Sequence, residues 1–149
     1  MIIDPTVLIV DDNEMFRETL RGLFGIRYPT LRVLEAGNGA EAVELATHHL
    51  PHVVFLDLSM PVMNGHDAAL LLRANPKTAA IPLVLMTSED PSDRLVQQLL
   101  PLCQGYLAKP FSFKELEHLL IGLAPVQAGP ARRHRAPVQR QYMSAAPSL

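Results

Sequence analysis

The sequence predicts an α/β fold of five parallel strands covered by helices on both faces, and three observations predict it. Short apolar runs at 7–10, 53–56, 83–86 and 106–108 are continuous rather than alternating, the pattern of strands buried on both faces. Segments with apolar residues at helical spacing separate these runs. Each run also stops at a charged or hydroxyl residue: Asp11 with Asp12, Asp57, Thr87 and Lys109. Open α/β sheets place their sites at such strand ends.

Residues 7–10 read as the first strand, and 13 to about 25 as an amphipathic helix with Phe16, Leu20, Leu23 and Phe24 on its inner face. A shorter second strand covers 31–35. Asn38, with Glu41 three positions later, makes a capping-box-like start for a helix that runs to about His49. The third strand, 53–56, leads into a turn with Pro61 and Gly65, where Gly65 can take a positive φ. A helix from about 66 to 74 follows, and Asn75 and Pro76 terminate it. After the fourth strand at 83–86, Asp90, Pro91 and Asp93 read as N-cap, first-turn proline and acidic third residue of a helix that Pro101 stops near Leu100. The last strand is 106–108. Ser112 and Glu115 form a capping box for a final helix carrying Phe113, Leu116, Leu119, Leu120 and Leu123. Right-handed crossovers between five βα units leave an open sheet, for which the flavodoxin-like order 2-1-3-4-5 is a common solution. Strands one and three are then adjacent, and Asp11, Asp12 and Asp57 become neighbours.

At 149 residues and 48% hydrophobic composition the chain is sized for one domain, expected over 1–124. No apolar run approaches the roughly 20 residues that cross a bilayer, and MIIDPT lacks a basic lead followed by an apolar block, so a cytoplasmic protein with no membrane segment is expected. Cys103 is the single cysteine, which excludes an internal disulfide and reads as a small buried thiol at a helix end. All fifteen acidic residues lie between Asp4 and Glu117 against nine Lys and Arg, a formal −6, while Arg132, Arg133, Arg135 and Arg140 give the rest +4. Such an acidic body is a poor nucleic-acid binder. Residues 125–149, rich in Pro, Ala, Gln and Arg, read as a disordered tail rather than a second core, so no attached DNA-binding domain is expected. The tail reads first as a solubilising linker and next as a docking peptide for an acidic partner.

Three carboxylates, a hydroxyl and an ammonium on one sheet edge suit phosphoryl chemistry on an aspartate. Two unit charges ~4 Å apart repel by about 4 kcal/mol at an effective dielectric of ~20, which a divalent cation relieves. Oxygen-only donors with room for water select Mg2+, with Mn2+ as a substitute. Asp57 sits in the fullest motif context, D-x-x-M-P-x-M-N-G, and is the expected nucleophile.

The fragments VLIVDDN, FLDLSMPVMNG, LVLMTSE and GYLAKPF, in this order and spacing, resemble the receiver domain of two-component response regulators, in a single-domain, chemotaxis-regulator-like form. The resemblance covers about residues 5–123 and implies the same strand order. It implies phosphorylation of Asp57, direct metal coordination by Asp12, Asp57 and the Ser59 main-chain carbonyl, and a mainly water-mediated role for Asp11. Lys109 and Thr87 are implied to bind phosphoryl oxygens, with a cis bond before Pro110. Thr87 and Tyr106 are the implied switch pair, the hydroxyl moving toward the phosphoryl group and the aromatic ring rotating inward. Ser59 and Glu89 are implied to tune the lifetime of the phosphorylated state.

The family also implies a sensor histidine kinase or histidine phosphotransfer protein as donor and an unknown downstream protein as target. It implies a signalling module with self-catalysed phosphorylation and dephosphorylation rather than a metabolic enzyme. A phosphorelay intermediate or phosphate sink uses the same site, and a phosphorylation-independent interaction module is the alternative from another class. A dehalogenase-like phosphatase would need a second Asp where Ser59 stands. The approach to the last strand, Leu100 to Gln104, departs from the usual Ala and Gly-rich pattern, and Pro101 should stiffen it. His48 and His49 read as helix-end residues that suit the dipole, and His66 and His118 as surface.

Overall fold

The structure is a computed structural model describing residues 5–123 of the chain, so every expectation for residues 125–149 lies outside the described residues. Five strands and five helices alternate: β1 (Thr6–Val10), α1 (Glu14–Arg27), β2 (Arg32–Ala36), α2 (Gly39–His49), β3 (Val53–Asp57), α3 (Gly65–Ala74), β4 (Leu83–Thr87), α4 (Arg94–Leu99), β5 (Gly105–Ala108) and α5 (Phe113–Leu123). A 3-10 turn at Leu100–Leu102 follows α4. The sheet is parallel throughout, in the order β2-β1-β3-β4-β5, as the sequence predicts.

The continuous apolar runs are explained by what lies on each face. Leu8, Val10, Val54, Leu56, Leu83 and Leu85 pack with Ala42 and Ala46 of α2, Ala68, Ala69 and Leu72 of α3, and Val96 and Leu99 of α4. Their sequence neighbours Val7, Ile9, Val53, Phe55, Val84 and Met86 face the other way, onto Leu20 and Phe24 of α1 and Leu116, Leu119 and Leu120 of α5. The edge strand β2 carries Arg32 and Glu35, but with period-two side chains and helices on both sides the inner strands run apolar over 7–10, 53–56 and 83–86 before they leave the core. That exit is where the charged residues begin.

Side-chain caps set most helix starts. Asn13 accepts from the Phe16 N–H, Asn38 from Glu41, Asn64 from Asp67, and Ser112 Oγ from Glu115, whose carboxylate accepts from Ser112 N–H in return. The box at α2 is only half reciprocal, because Glu41 accepts from Gly37 N–H at 2.7 Å instead of reaching Asn38.

Four expectations need correction. The α4 cap is Asp93, which accepts from Leu95 N–H, whereas Asp90 turns onto Ser92 N–H and Oγ. Residues 90–93 thus form a turn, and the helix begins later and is only six residues long. Leu23 is 38% exposed instead of inner, since Leu20 and Phe24 already fill the α1 contact with the sheet. His66 is only partly exposed, its side chain at 18%, with Nδ1 3.7 Å from Asp67 Oδ1. Gly65 does not adopt a positive φ; among the described residues those that do are Val62, at 67°, and Leu50, at 47°.

Candidate functional site

The parallel register converts four separate fragments into one edge. Val10 is level with Leu56, Asp57 with Met86, and Thr87 with Ala108. Asp11 and Asp12 therefore leave β1 beside Asp57, and Lys109 leaves β5 beside Thr87. Backbone bonds extend the ladders one step further: Asp11 N–H donates to Ala36 O at 3.0 Å and Lys109 N–H to Thr87 O at 2.9 Å. The Lys109–Pro110 peptide bond is cis, as the resemblance implied.

Asp11, Asp12 and Asp57 each offer an oxygen within 4.8 Å of the others. Asp11 is 1% exposed and Asp57 7%, while Asp12 faces solvent. Lys109 Nζ stands 2.6 Å from Asp11 Oδ2 and 3.6 Å from Asp57 Oδ1. The other Asp11 oxygen accepts from Asn13 N–H at 2.9 Å. Both Asp11 oxygens are thus engaged, which leaves Asp57 and the exposed Asp12 as the more available donors.

Burial pushes the Asp57 carboxyl up to about 6. Lys109 opposes the shift, the Asp11 and Asp12 carboxylates add to it, and the Leu58 N–H lowers it. One ammonium does not offset three carboxylates here. Hard oxygen donors short of positive charge fit a magnesium-type ion, and no soft ligand belongs to the group.

Thr87, 1% exposed, accepts from Glu89 N–H at 2.9 Å through Oγ1. Ser59 Oγ lies 3.4 Å from Glu89 Oε2, so the loops after β3 and β4 meet beside Asp57. Tyr106 is already inside, 2% exposed among residues of the α2, α3 and α4 layer, and burial followed by the Asp90 carboxylate raises its phenol pKa. The loop after Asp57 is pinned at two points. Gly65 N–H donates to Leu58 O at 2.8 Å, and Gly39 N–H to Met63 O at 2.9 Å. A Cβ on Gly65 would lie 2.2 Å from the Asp57 carbonyl oxygen, so close backbone approach explains this glycine.

Phe16 lies on the inner face of α1 as expected, partly buried against the core, but sequence reasoning missed that its ring lies 4.7 Å from Lys109 Nζ and packs edge-on against Phe111 with centroids 5.9 Å apart. Its place three residues after the Asn13 cap, in the first turn at the site end of α1, was the available signal. Arg17 was also missed; it donates to Asp11 O at 2.6 Å and to Glu35 at 3.0 Å. His49 pairs only loosely with Arg32, at 3.5 Å, and Cys103 is buried with its thiol pushed up to about 12.

Comparison with known proteins bears on the same residues. The family model described as the response regulator receiver domain matches residues 7–121. The probable transcriptional regulatory protein TcrX of Mycobacterium tuberculosis is 34% identical over 112 residues, 74% of this chain and 46% of the relative. Sensor histidine kinase TmoS of Ectopseudomonas mendocina is 35% identical over 130 residues, 87% of this chain and 13% of the kinase. The chain spans less than half the length of these two curated relatives. The solved chemotaxis protein CheY4 of Vibrio cholerae superposes with a TM-score of 0.73 at 26% identity, covering 81% of this chain and 99% of that one.

Proposed function

This chain belongs to the response regulator receiver domain family, and from that premise we propose that it takes a phosphoryl group onto Asp57 and signals by changing a protein-binding surface. The observation that carries the reading is the Asp57 carboxyl, buried at a strand end between two acidic neighbours and one lysine. A Mg2+ ion, or Mn2+, would be held by Asp12, Asp57 and the Ser59 main-chain carbonyl, with Asp11 reached through water. When bound it supplies the positive charge that lets a nucleophilic carboxylate and an anionic phosphoryl group approach.

In the reaction an Asp57 oxygen forms a bond to phosphorus as the P–N bond of a phosphohistidine donor breaks, and the departing imidazole takes its proton from solvent. Lys109, 3.6 Å from Asp57, binds one phosphoryl oxygen as a point charge. Thr87 Oγ1 accepts from Glu89 N–H and has its own proton to donate to another. Displacement of Thr87 toward that oxygen would alter the packing of Tyr106, one strand away, and so the surface of α4, β5 and α5. The donor is a sensor histidine kinase or histidine phosphotransfer protein, the target a downstream protein, and the setting the cytoplasm. Among the described residues no helix is long and apolar enough to cross a membrane. Residues 1–124 act as the signalling module, with 125–149 attached to it. The likeness to a segment of a sensor histidine kinase favours, as the second reading, a phosphorelay intermediate that returns the group to a histidine.

Intact mass after incubation with Mg2+ and acetyl phosphate tests the assignment, with a beryllofluoride titration beside it in case turnover removes the adduct. One phosphate on wild type and none on Asp57→Asn is expected. No adduct and no beryllofluoride response would leave the phosphorylation-independent interaction module as the better account.

A further inference from the structure

We propose that Phe16 is a positioning residue for Lys109, holding the ammonium over the acidic edge through the face of its ring. The inference rests on the phosphoacceptor reading and assigns a residue to that site.

Lys109 has a long, flexible side chain, and a lysine free to swing into water would bind a phosphoryl oxygen only part of the time. Here its Nζ is confined by Asp11 Oδ2 at 2.6 Å, Asp57 Oδ1 at 3.6 Å and the Phe16 ring at 4.7 Å from the centroid. A cation at that distance from an aromatic face is attracted to its negative quadrupole. Phe16 is itself held: Phe111 meets it edge-on at an interplanar angle of 88°, the preferred arrangement for such rings. Phe16, Pro110 and Phe111 form the apolar side of a cavity of about 320 Å³ that Ser88 and Lys109 complete. The ammonium thus has carboxylates on one side and apolar surface on the other.

The contacts close a loop. Asp11 Oδ1 accepts from Asn13 N–H, Asn13 Oδ1 accepts from Phe16 N–H, the Phe16 ring meets Lys109, and Lys109 donates to Asp11 Oδ2. A single helix cap therefore sets the position of the ring relative to the acid that the lysine pairs with. Supporting contacts of this kind hold a reactive group in its working geometry.

The test measures the beryllofluoride dissociation constant in Mg2+, together with the NMR shift of the Lys109 ε-methylene protons, which a ring 4.7 Å from Nζ moves upfield. Phe16→Leu is expected to weaken binding about 3- to 10-fold and to abolish the upfield shift, while Phe16→Tyr keeps both. In a Lys109→Met background Phe16→Leu should change the constant less than about twofold, as coupling through the lysine requires. If Phe16→Leu fails to fold, Phe16→Met fills the volume without an aromatic face and serves in its place. Wild-type affinity in Phe16→Leu, or an equal loss with and without Lys109, would overturn the proposal while leaving the phosphoacceptor reading intact. Failure of wild type to bind beryllofluoride or to accept phosphate would overturn both.

Discussion

Asp57 shows how a single carboxyl can be made costly to the fold and useful to the chemistry. Burial raises its pKa from 3.8 to about 6, so the folded protein holds a proton there more tightly than the unfolded chain does. The stabilising contribution of that proton is complete below the unfolded value and is lost as pH rises through about 6. Asp57→Asn should therefore stabilise the metal-free protein above pH 6, with the gain fading toward pH 4. Each pKa unit is worth about 1.4 kcal/mol, and screening at the open rim reduces the total to roughly 1–2 kcal/mol. Thermal unfolding at pH 7.5 and pH 4.5 checks this, and equal effects at the two values would show that burial of the charge is not the cause. Added Mg2+ should shrink the advantage of the Asn variant at pH 7.5, because the ion stabilises the charged form.

Among the elements, the loop between β3 and α3 is held by close contact at one end and carries an unusual backbone in the middle. Gly65→Ala would drive a methyl carbon to 2.2 Å from the Asp57 carbonyl oxygen, a clash with backbone that cannot be relieved by a rotamer change. A loss of about 1–3 kcal/mol is expected in chemical denaturation, with weakened beryllofluoride binding because the residue displaced is Asp57, the proposed phosphoacceptor. Val62 presents the opposite case. It is β-branched with φ at 67°, and Met63 N–H donates to Pro61 O at 2.6 Å across it. Val62→Gly removes that strain at the cost of a more flexible unfolded chain, so a net gain of about 1 kcal/mol is expected from the same measurement. A loss would mean that the exposed Val62 side chain stabilises the loop by packing.

Arg73 of α3 performs a structural task that no local pattern announces. Its guanidinium donates to Ala79 O, Ile81 O, Leu102 O and Gln104 Oε1, tying α3 to the start of β4 and to the 3-10 turn around Pro101. Burial lowers its pKa, yet four acceptors keep the cation satisfied. Arg73→Met leaves the part-buried carbonyls of Ala79, Ile81 and Leu102 without that donor, and urea unfolding should show a loss of about 2–3 kcal/mol. Retained stability would indicate that water replaces the guanidinium there.

On the scale of the whole molecule, two helical layers enclose a parallel sheet whose site lies at one edge. The acidic body and the basic composition of residues 125–149 belong to different parts of the chain. A chain ending at 124 is expected to bind Mg2+ and beryllofluoride within about twofold of the full chain, as titration calorimetry would show; a larger loss would give the tail a part in the site.

Strand positions, strand order, most helix starts and the acid, hydroxyl and lysine of the edge were all legible in the sequence. They are written in short stretches: a continuous apolar run, an Asn or Ser three residues before a partner N–H, a charged residue where the run stops. The choice of Asp93 over Asp90 as a cap was not legible, because both offer the same local chemistry and the difference lies in the turn that Ser92 completes. Nor was the reason for Gly65, which is the height at which α3 passes the Asp57 carbonyl. The meeting of Phe16 with Lys109, 93 positions later, and of Arg73 with Leu102 depends on how helices settle against a twisted sheet. By itself the sequence determined the elements and the identity of the polar groups at the sheet edge, since these follow from bonds and periodicities within a few residues. Only the tertiary structure decided which side chains support those groups, because that depends on packing distances between segments far apart in the chain.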